Sequence, residues 1–289
     1  MSYAEKYLTI IIGLGTGQMG NGAPAEYYTL TDFRASAEIT AYGGETMGQA
    51  VVKIYGLSLE LMNKLTTIGP IMTQVRGQNS IVILAGENPQ ALTEIYSGTI
   101  MTAIADFNNA PDVSFEVTAL SASIAAMTPA QAYSVANAVS ADQVFGDFAT
   151  ALGLQLNNVD VVHMFNNPTF NGTLRQQYLA AADEADCDVI PDKSFLNIKG
   201  RFSYLGKVPV IISPSTGMVG YPLLSQGYMS VKSIFQPTII QGARIQVQDS
   251  QLLAANGLWT VVSVKHELES MMPNGKWFTT CGVFAHGLS

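Results

Sequence analysis

Ionic side chains are scarce in this sequence. Charged residues make up 12% of its 289 positions while hydrophobic ones reach 48%, and an ordinary soluble domain carries about 25% charge. The small ionic content leans acidic, with a formal net charge of −8. That balance excludes a free-standing nucleic-acid binder, which needs clustered Lys and Arg to neutralise phosphates. Long apolar runs are missing too. No stretch approaches the roughly 18 consecutive apolar residues of a membrane span. The longest uncharged stretch, Val117 to Ala141, is interrupted by Ser, Thr, Asn, Gln and Pro129. No membrane insertion is expected.

Cysteine is nearly absent. Cys187 and Cys281 stand far apart without metal-ligand spacing, so free thiols in a reducing compartment are expected, with one bridge as the alternative. Glu5 and Lys6 precede a short apolar run that lacks the length and cleavage pattern of a signal peptide, and synthesis in the cytoplasm is expected. Catalytic signatures are also lacking: there is no G-x-S-x-G, no Cys–His signature and no H-E-x-x-H. His163, His266 and His286 lie in separate segments, and His266, on an apolar strand, reads as a hydrogen-bonded structural residue. Asp183, Glu184, Asp186 and Asp188 are close in sequence but lack the central glycine and closing Glu of a calcium loop, and read as a solvated helix end. The expectation is a protein that is not an enzyme, with no catalytic, cofactor-binding or metal residues.

A soluble chain with so little charge must cover its surface some other way. Burial against neighbouring subunits is the favoured reading, because obligate interfaces resemble core cut in half. A monomer coated in neutral Ser, Thr, Asn and Gln is the alternative.

What is present is β-structure. Strands are predicted at Tyr7–Ile12, Arg34–Ala41, Ala50–Tyr55, Ser80–Ala85, Glu94–Asp106 and Val113–Leu120, with a short helix over Leu57–Thr66. Strands recur at Val208–Ser213, Gly227–Phe235, Gly242–Asp249, Leu258–Leu268 and Trp277–Phe284, and Asn274-Gly275 predicts a type I′ hairpin turn before the last one. Between these groups the period changes. Ser140-Ala-Asp-Gln143 and Thr173-Leu-Arg-Gln176 are capping boxes opening two helices, the first ended by Gly153. A small hairpin, Cys187–Ile190 and Ser194–Lys199, turns at Pro191-Asp192.

Gly15, Gly17 and Gly20 satisfy G-x-G-x-x-G after a strand, which invites a dinucleotide-binding reading. That motif needs a helix whose N-terminus holds the pyrophosphate. Here Asn21-Gly-Ala-Pro24 and an extended Tyr27–Thr31 follow, so a Gly-rich loop is the better reading. A nucleotide- or ligand-binding β-rich enzyme using Gly15 to Gly20 stands as the alternative of a different class.

From Arg34 onward the chain resembles the baseplate hub proteins of contractile-tailed bacteriophages. The residues carrying the likeness are Ile212-Ser-Pro-Ser-Thr-Gly-Met-Val-Gly-Tyr-Pro222, Gly227–Pro237, Gly242–Val247, Asn256–His266 and Gly275–Thr280, with Ala151-Leu-Gly-Leu154 closing the insert's first helix. The resemblance implies a mainly β fold with an α+β insert. Two tail-tube-like β-barrel domains, 34–120 and 207–289, would flank a helix-plus-hairpin domain, 121–206, with 1–33 as a Gly-rich N-terminal segment. It further implies a homotrimer forming a pseudo-six-fold ring in the virion baseplate. Its partners would be a tail-tube or tube-initiator protein, a central spike, tape-measure protein and baseplate wedge proteins. DNA would pass through without specific binding. The corresponding part of a tailocin or bacterial contractile injection system is the alternative within that class.

Overall fold

A computed structural model describes residues 5–15, 24–42, 46–66, 79–108, 110–121, 130–225 and 228–285. Expectations that fall on Gly17, Gly20 and His286 lie outside the described residues. The fold is mainly β. Its first part contributes β1 (Tyr7–Gly15), β2 (Pro24–Leu30), β3 (Ala35–Ala41), β4 (Gln49–Tyr55), β5 (Ser80–Gly86), β6 (Thr93–Asp106) and β7 (Ser114–Leu120). The alternation that predicts these strands is seen in their burial: Ala50, Val52 and Ile54 of β4 point inward while Val51 and Lys53 do not. The short helix α1 (Leu59–Leu65) is capped by Ser58 and sends Met62 and Leu65 into the same core.

The N-terminal segment is part of this sheet. β1 pairs antiparallel with β5 on one side and β2 on the other. The next described element after the Gly-rich stretch is thus a strand lying beside β1, not the helix a dinucleotide site requires.

The insert has its own core. Helices α2 (Ala141–Leu152) and α3 (Leu174–Glu184) pack on a three-stranded sheet of β10 (Gln155–Val159), β14 (Phe195–Gly200) and β13 (Cys187–Asp192), joined by short strands β8 (Tyr133–Ser134), β9 (Ala138–Ser140), β11 (Met164–Asn166) and β12 (Thr169–Phe170). Thr173 forms the full reciprocal capping box with Gln176. At Ser140 the structure shows the hydroxyl accepting from Gln143 N. Gly153 ends α2 at φ 70° as its position predicts. The hairpin turn differs from expectation: Pro191 and Asp192 lie within β13, opposite Leu196 and Phe195, and the chain reverses at Lys193, φ 52°. Proline is tolerated there because β13 is an edge strand.

The last part contributes β15 (Leu205–Ile212), β16 (Leu223–Ser225), β17 (Tyr228–Ile234), β18 (Ala243–Val247), β19 (Gly257–Ser270) and β20 (Trp277–Ala285). The expected type I′ turn is absent. Asn274 is left-handed at φ 56° but Gly275 is not, and residues 271–276 form a longer connection that also uses Met271 at φ 54°.

These parts are not separate sheets. One thirteen-stranded sheet runs β16-β17-β20-β19-β3-β4-β7-β6-β5-β1-β2, with β15 and β18 branching from β19. β19 makes the join. Its first half lies against β18, Val247 opposite Gly257 and Arg244 opposite Thr260. A bulge intervenes at Val261/Ser263, and the second half lies against β3, from Val264 opposite Ala41 to Ser270 opposite Ala35. β20 holds its other edge from Trp259 to Leu268. Among the described residues no closed barrel is found: the first part curls until β1 comes back beside β19, but no ladder seals it.

The cores follow the same plan. Phe235, Leu268 and Trp277, from the C-terminal third, are buried in the core of the first part, whereas Val231, Val261, Cys281 and Val283 form the last part's own core. Phe235 packs edge-on against both Trp277, at 5.1 Å, and His266, at 5.5 Å. Lys6 Nζ donates to Gly275 O at 3.1 Å, strapping the start of β1 to the end of the β19–β20 loop.

His266 is the polar member of this seam. Its Nδ1 lies 2.9 Å from Thr279 Oγ1, which accepts from Gln236 N at 2.9 Å. The threonine hydroxyl has one proton and two lone pairs, so it can receive Gln236 N–H and still meet Nδ1 as donor or as acceptor, as the ring tautomer requires. Burial, aided by the charge of Lys193, pushes the imidazole down to about 4.

Two outcomes follow from the shared seam. Trp277→Ala is expected to cost about 3–5 kcal/mol, the range for emptying a buried aromatic site. Chemical denaturation followed by both tryptophan fluorescence and circular dichroism should show one transition moving for both β parts; two transitions, only one displaced, would break the shared-core account. His266 carries a pH signature. An exposed histidine takes its proton near 6.5, and the folded one only near 4, so the folded state binds fewer protons between those values. Its contribution is complete above about pH 6.5 and is lost as pH falls toward 4, amounting to about 3 kcal/mol. Stability measured from pH 7 to 4 should therefore drop less in His266→Gln than in the parent chain.

Candidate functional site

The structure scatters the reactive residues. Gly15 ends β1. His163 stacks edge-on against Phe165 at 4.6 Å and has no acidic or thiol neighbour within a metal-ligand group. His266 is committed to Thr279. The acidic run after α3 is drawn apart by separate cations: Asp186 pairs with Arg201 at 2.7 Å and Asp188 with Lys199. No group of His, Cys, Asp and Glu among the described residues could hold a metal. Cys187 and Cys281 are both free and buried in different cores, and burial pushes their thiols up to about 11 and about 12. Neither is an activated nucleophile.

A cleft of about 100 Å³ lies where the insert meets both β parts, lined among others by Tyr96, Arg175, Asp192, Lys193, Ile240 and His266. Desolvation raises the Asp192 carboxyl, with Lys193 opposing. At the cleft's side Ile190 of the insert reaches Gly242, where an added Cβ would meet Ile190 Cδ1 at 2.9 Å. Gly242 is left-handed at φ 80°, so a side chain there would be strained as well as crowded against Ile190 and Leu205. The cleft is the seam between packed parts.

The extended surfaces are more informative. Among the described residues three strands of the big sheet have one neighbour each: β16 and β2 at the ends of its main path, and β15 at the end of the branch. Leu223 and Leu224 on β16 are exposed, as is Tyr27 on β2. Unpaired edges with apolar side chains are sites of pairing with another chain. Nearby, Tyr221, Leu253 and Val208 are exposed at 60, 81 and 82%, so the last part presents more apolar surface than scattered single residues explain.

The second surface is the outward side of the sheet, opposite the core. Registers place Lys232, Thr280, Lys265, Thr40, Gln49, Leu120 and Thr99 in one row, of which Thr40 and Thr99 are covered. The next row holds Phe278, Glu267, Glu38, Val51, Thr118 and Thr102, and a third Glu269, Ser36, Lys53, Glu116 and Ile104. Its lysines are engaged. Lys265 meets Glu38 at 2.8 Å, Lys276 meets Glu267 at 2.9 Å, and Lys53 meets Glu116. Lys232 sits 4.3 Å from the Phe278 ring centroid. Hydrogen bonds to these carboxylates raise Lys53, Lys265 and Lys276, and the bond from Lys276 lowers Glu267. Sequence reasoning missed this surface, because alternation marks its residues only as facing away from a core.

A search of curated protein sequences returns no match. Solved structures do match, at identities that carry the fold alone. A 43 kDa tail protein of prophage MuSo2 from Shewanella oneidensis aligns with a TM-score of 0.61 at 11% identity, covering 97% of this chain and 96% of that one. A tail protein from Neisseria meningitidis MC58 aligns with a TM-score of 0.63 at 8% identity, covering 98% and 97%. The Escherichia coli c3393 protein aligns with a TM-score of 0.58 at 10% identity, covering 89% and 74%; it is described as a type VI secretion component with structural similarity to the T4 tail proteins gp27 and gp5. A family model described as baseplate hub gp41 matches residues 16–281. With nearly the whole length matched, the chain belongs to the baseplate hub gp41 family.

Proposed function

We propose that the chain is the structural hub of a contractile phage tail, located in the virion baseplate. It acts as a homotrimer in which each copy gives two tube-like β units, so that three copies make a pseudo-six-fold ring. The ring joins the tail tube to a central spike and conducts tape-measure protein and DNA. Each unit is completed as a barrel by the curl of its own strands and by neighbouring copies. The units are taken as 34–120, joined by strands from 1–33, and 207–289, with the insert at 121–206 on the outside.

The observation that carries this reading is the single sheet spanning both β parts, whose end strands β16 and β2 have one neighbour each among the described residues. A chain whose two ends offer unlike edges associates head to tail, and such contacts close into rings when the rotation between copies is right. The charge-poor composition fits extensive contact between copies. No helix among the described residues is long and apolar enough to cross a membrane. A hub of a bacterial injection machine is the second reading, favoured by the likeness to the type VI component.

Light scattering on the eluting protein should give a trimer, and negative-stain images should show three-fold rings. Replacing Leu223 and Leu224 together by Lys should reduce the rings to single copies, because charge on an edge strand blocks pairing. NAD and ATP should leave the melting temperature unchanged. A monomer at every concentration, stabilised by a nucleotide, would overturn the reading in favour of a ligand-binding enzyme.

A further inference from the structure

Resting on the hub reading, we infer that the outward face of the continuous sheet is the surface past which double-stranded DNA slides, and that its glutamates serve to occupy its lysines. This is the face that runs unbroken from β17 across β20, β19, β3, β4 and β7 to β6. The opposite side of the same strands is filled with core.

The chemistry of the face is neutral rather than acidic. Lys53, Lys265 and Lys276 each meet a carboxylate, and Lys232 stacks on Phe278 while its charge helps hold the Glu267 carboxyl low. Thr102, Thr118 and Thr280 fill positions between them. Duplex DNA gains affinity when protein cations replace its condensed counterions. A lysine already held by a carboxylate of its own chain offers little such gain. A bare array of acids would instead repel the duplex and raise a barrier to its passage. The paired face neither holds the polymer nor repels it, and the chain's net charge of −8 is carried elsewhere.

One detail is hard to explain by folding alone. Glu267 lies directly opposite Glu38 across β19 and β3, and like charges facing each other across a ladder are destabilising. Threonine at both positions would suit the sheet and leave Lys265 and Lys276 free. The facing glutamates are accounted for once their task is to hold those two lysines, one from each side.

The test is binding of a fluorescent 30-base-pair duplex to the full chain, read by anisotropy across a salt series. Glu38→Gln, Glu116→Gln and Glu267→Gln together should bind at least about tenfold more tightly than the parent at low salt. The slope of log K against log salt should approach about −0.9 for each lysine released. The control Glu87→Gln, Asp183→Asn, Glu184→Gln changes net charge equally at exposed residues off this face and should bind like the parent. Glu116→Gln alone should move the same way by less, which keeps the test in force if the triple variant unfolds. Equal binding by control and triple variant, or no gain in the single and triple variants, overturns the assignment. Ring formation is read separately: rings without a binding gain sink the face while leaving the hub, and failure to form rings sinks the hub itself.

Discussion

Strand β19 is the constraint on which the rest depends. Over fourteen residues it extends on the order of 45 Å, with β20 along Trp259 to Leu268 and two successive partners on its other edge. Because side chains alternate with period two, a slip of one residue in either half would turn its core-facing set outward. The bulge at Val261/Ser263 re-phases the strand where the partner changes. In this way Val261 serves the C-terminal core while Leu268 serves the first one. The buried seam of Phe235, His266 and Trp277 then fixes how the two parts sit together.

The insert follows a different logic. Its aromatic core of Phe145, Phe148, Phe165 and Phe170 shares no residue with the other two. The far side of its three-stranded sheet is polar, with Asn157 donating to Asn197 at 2.8 Å and Asn197 donating to Ile190 O at 3.1 Å. Those bonds satisfy the asparagine amides within the insert's own sheet.

Much of the secondary structure is legible in the sequence because it is decided locally. Ser140, Gly153 and Thr173 mark helix ends by hydrogen bonds and dihedrals that the residue itself supplies. Ser80-Ile-Val-Ile-Leu-Ala85 is too apolar and β-branched to be other than a buried strand. Strand β10, Gln-Leu-Asn-Asn-Val, gives no such signal, since its asparagines are strand-poor and are satisfied only by tertiary partners, Asn157 by Asn197 and Asn158 by Asp142 and Val161. Pro191 looks like a turn and is an edge-strand residue because nothing pairs on its far side. The union of the two β parts was not legible either. Val264 opposite Ala41 is a pairing between segments far apart in the chain, and no local pattern encodes it. The same holds for the functional surface. Lys53, Glu38 and Lys265 become one face only after the order of strands is known.

The change of partner along β19 also bears on how the molecule carries load. Antiparallel rungs run perpendicular to their strands. A pull directed along β19, separating the first part from the last, therefore strains the rungs to β3, β18 and β20 together. They would not open one at a time like a zipper. A joint of that kind resists sudden traction far better than a linker would.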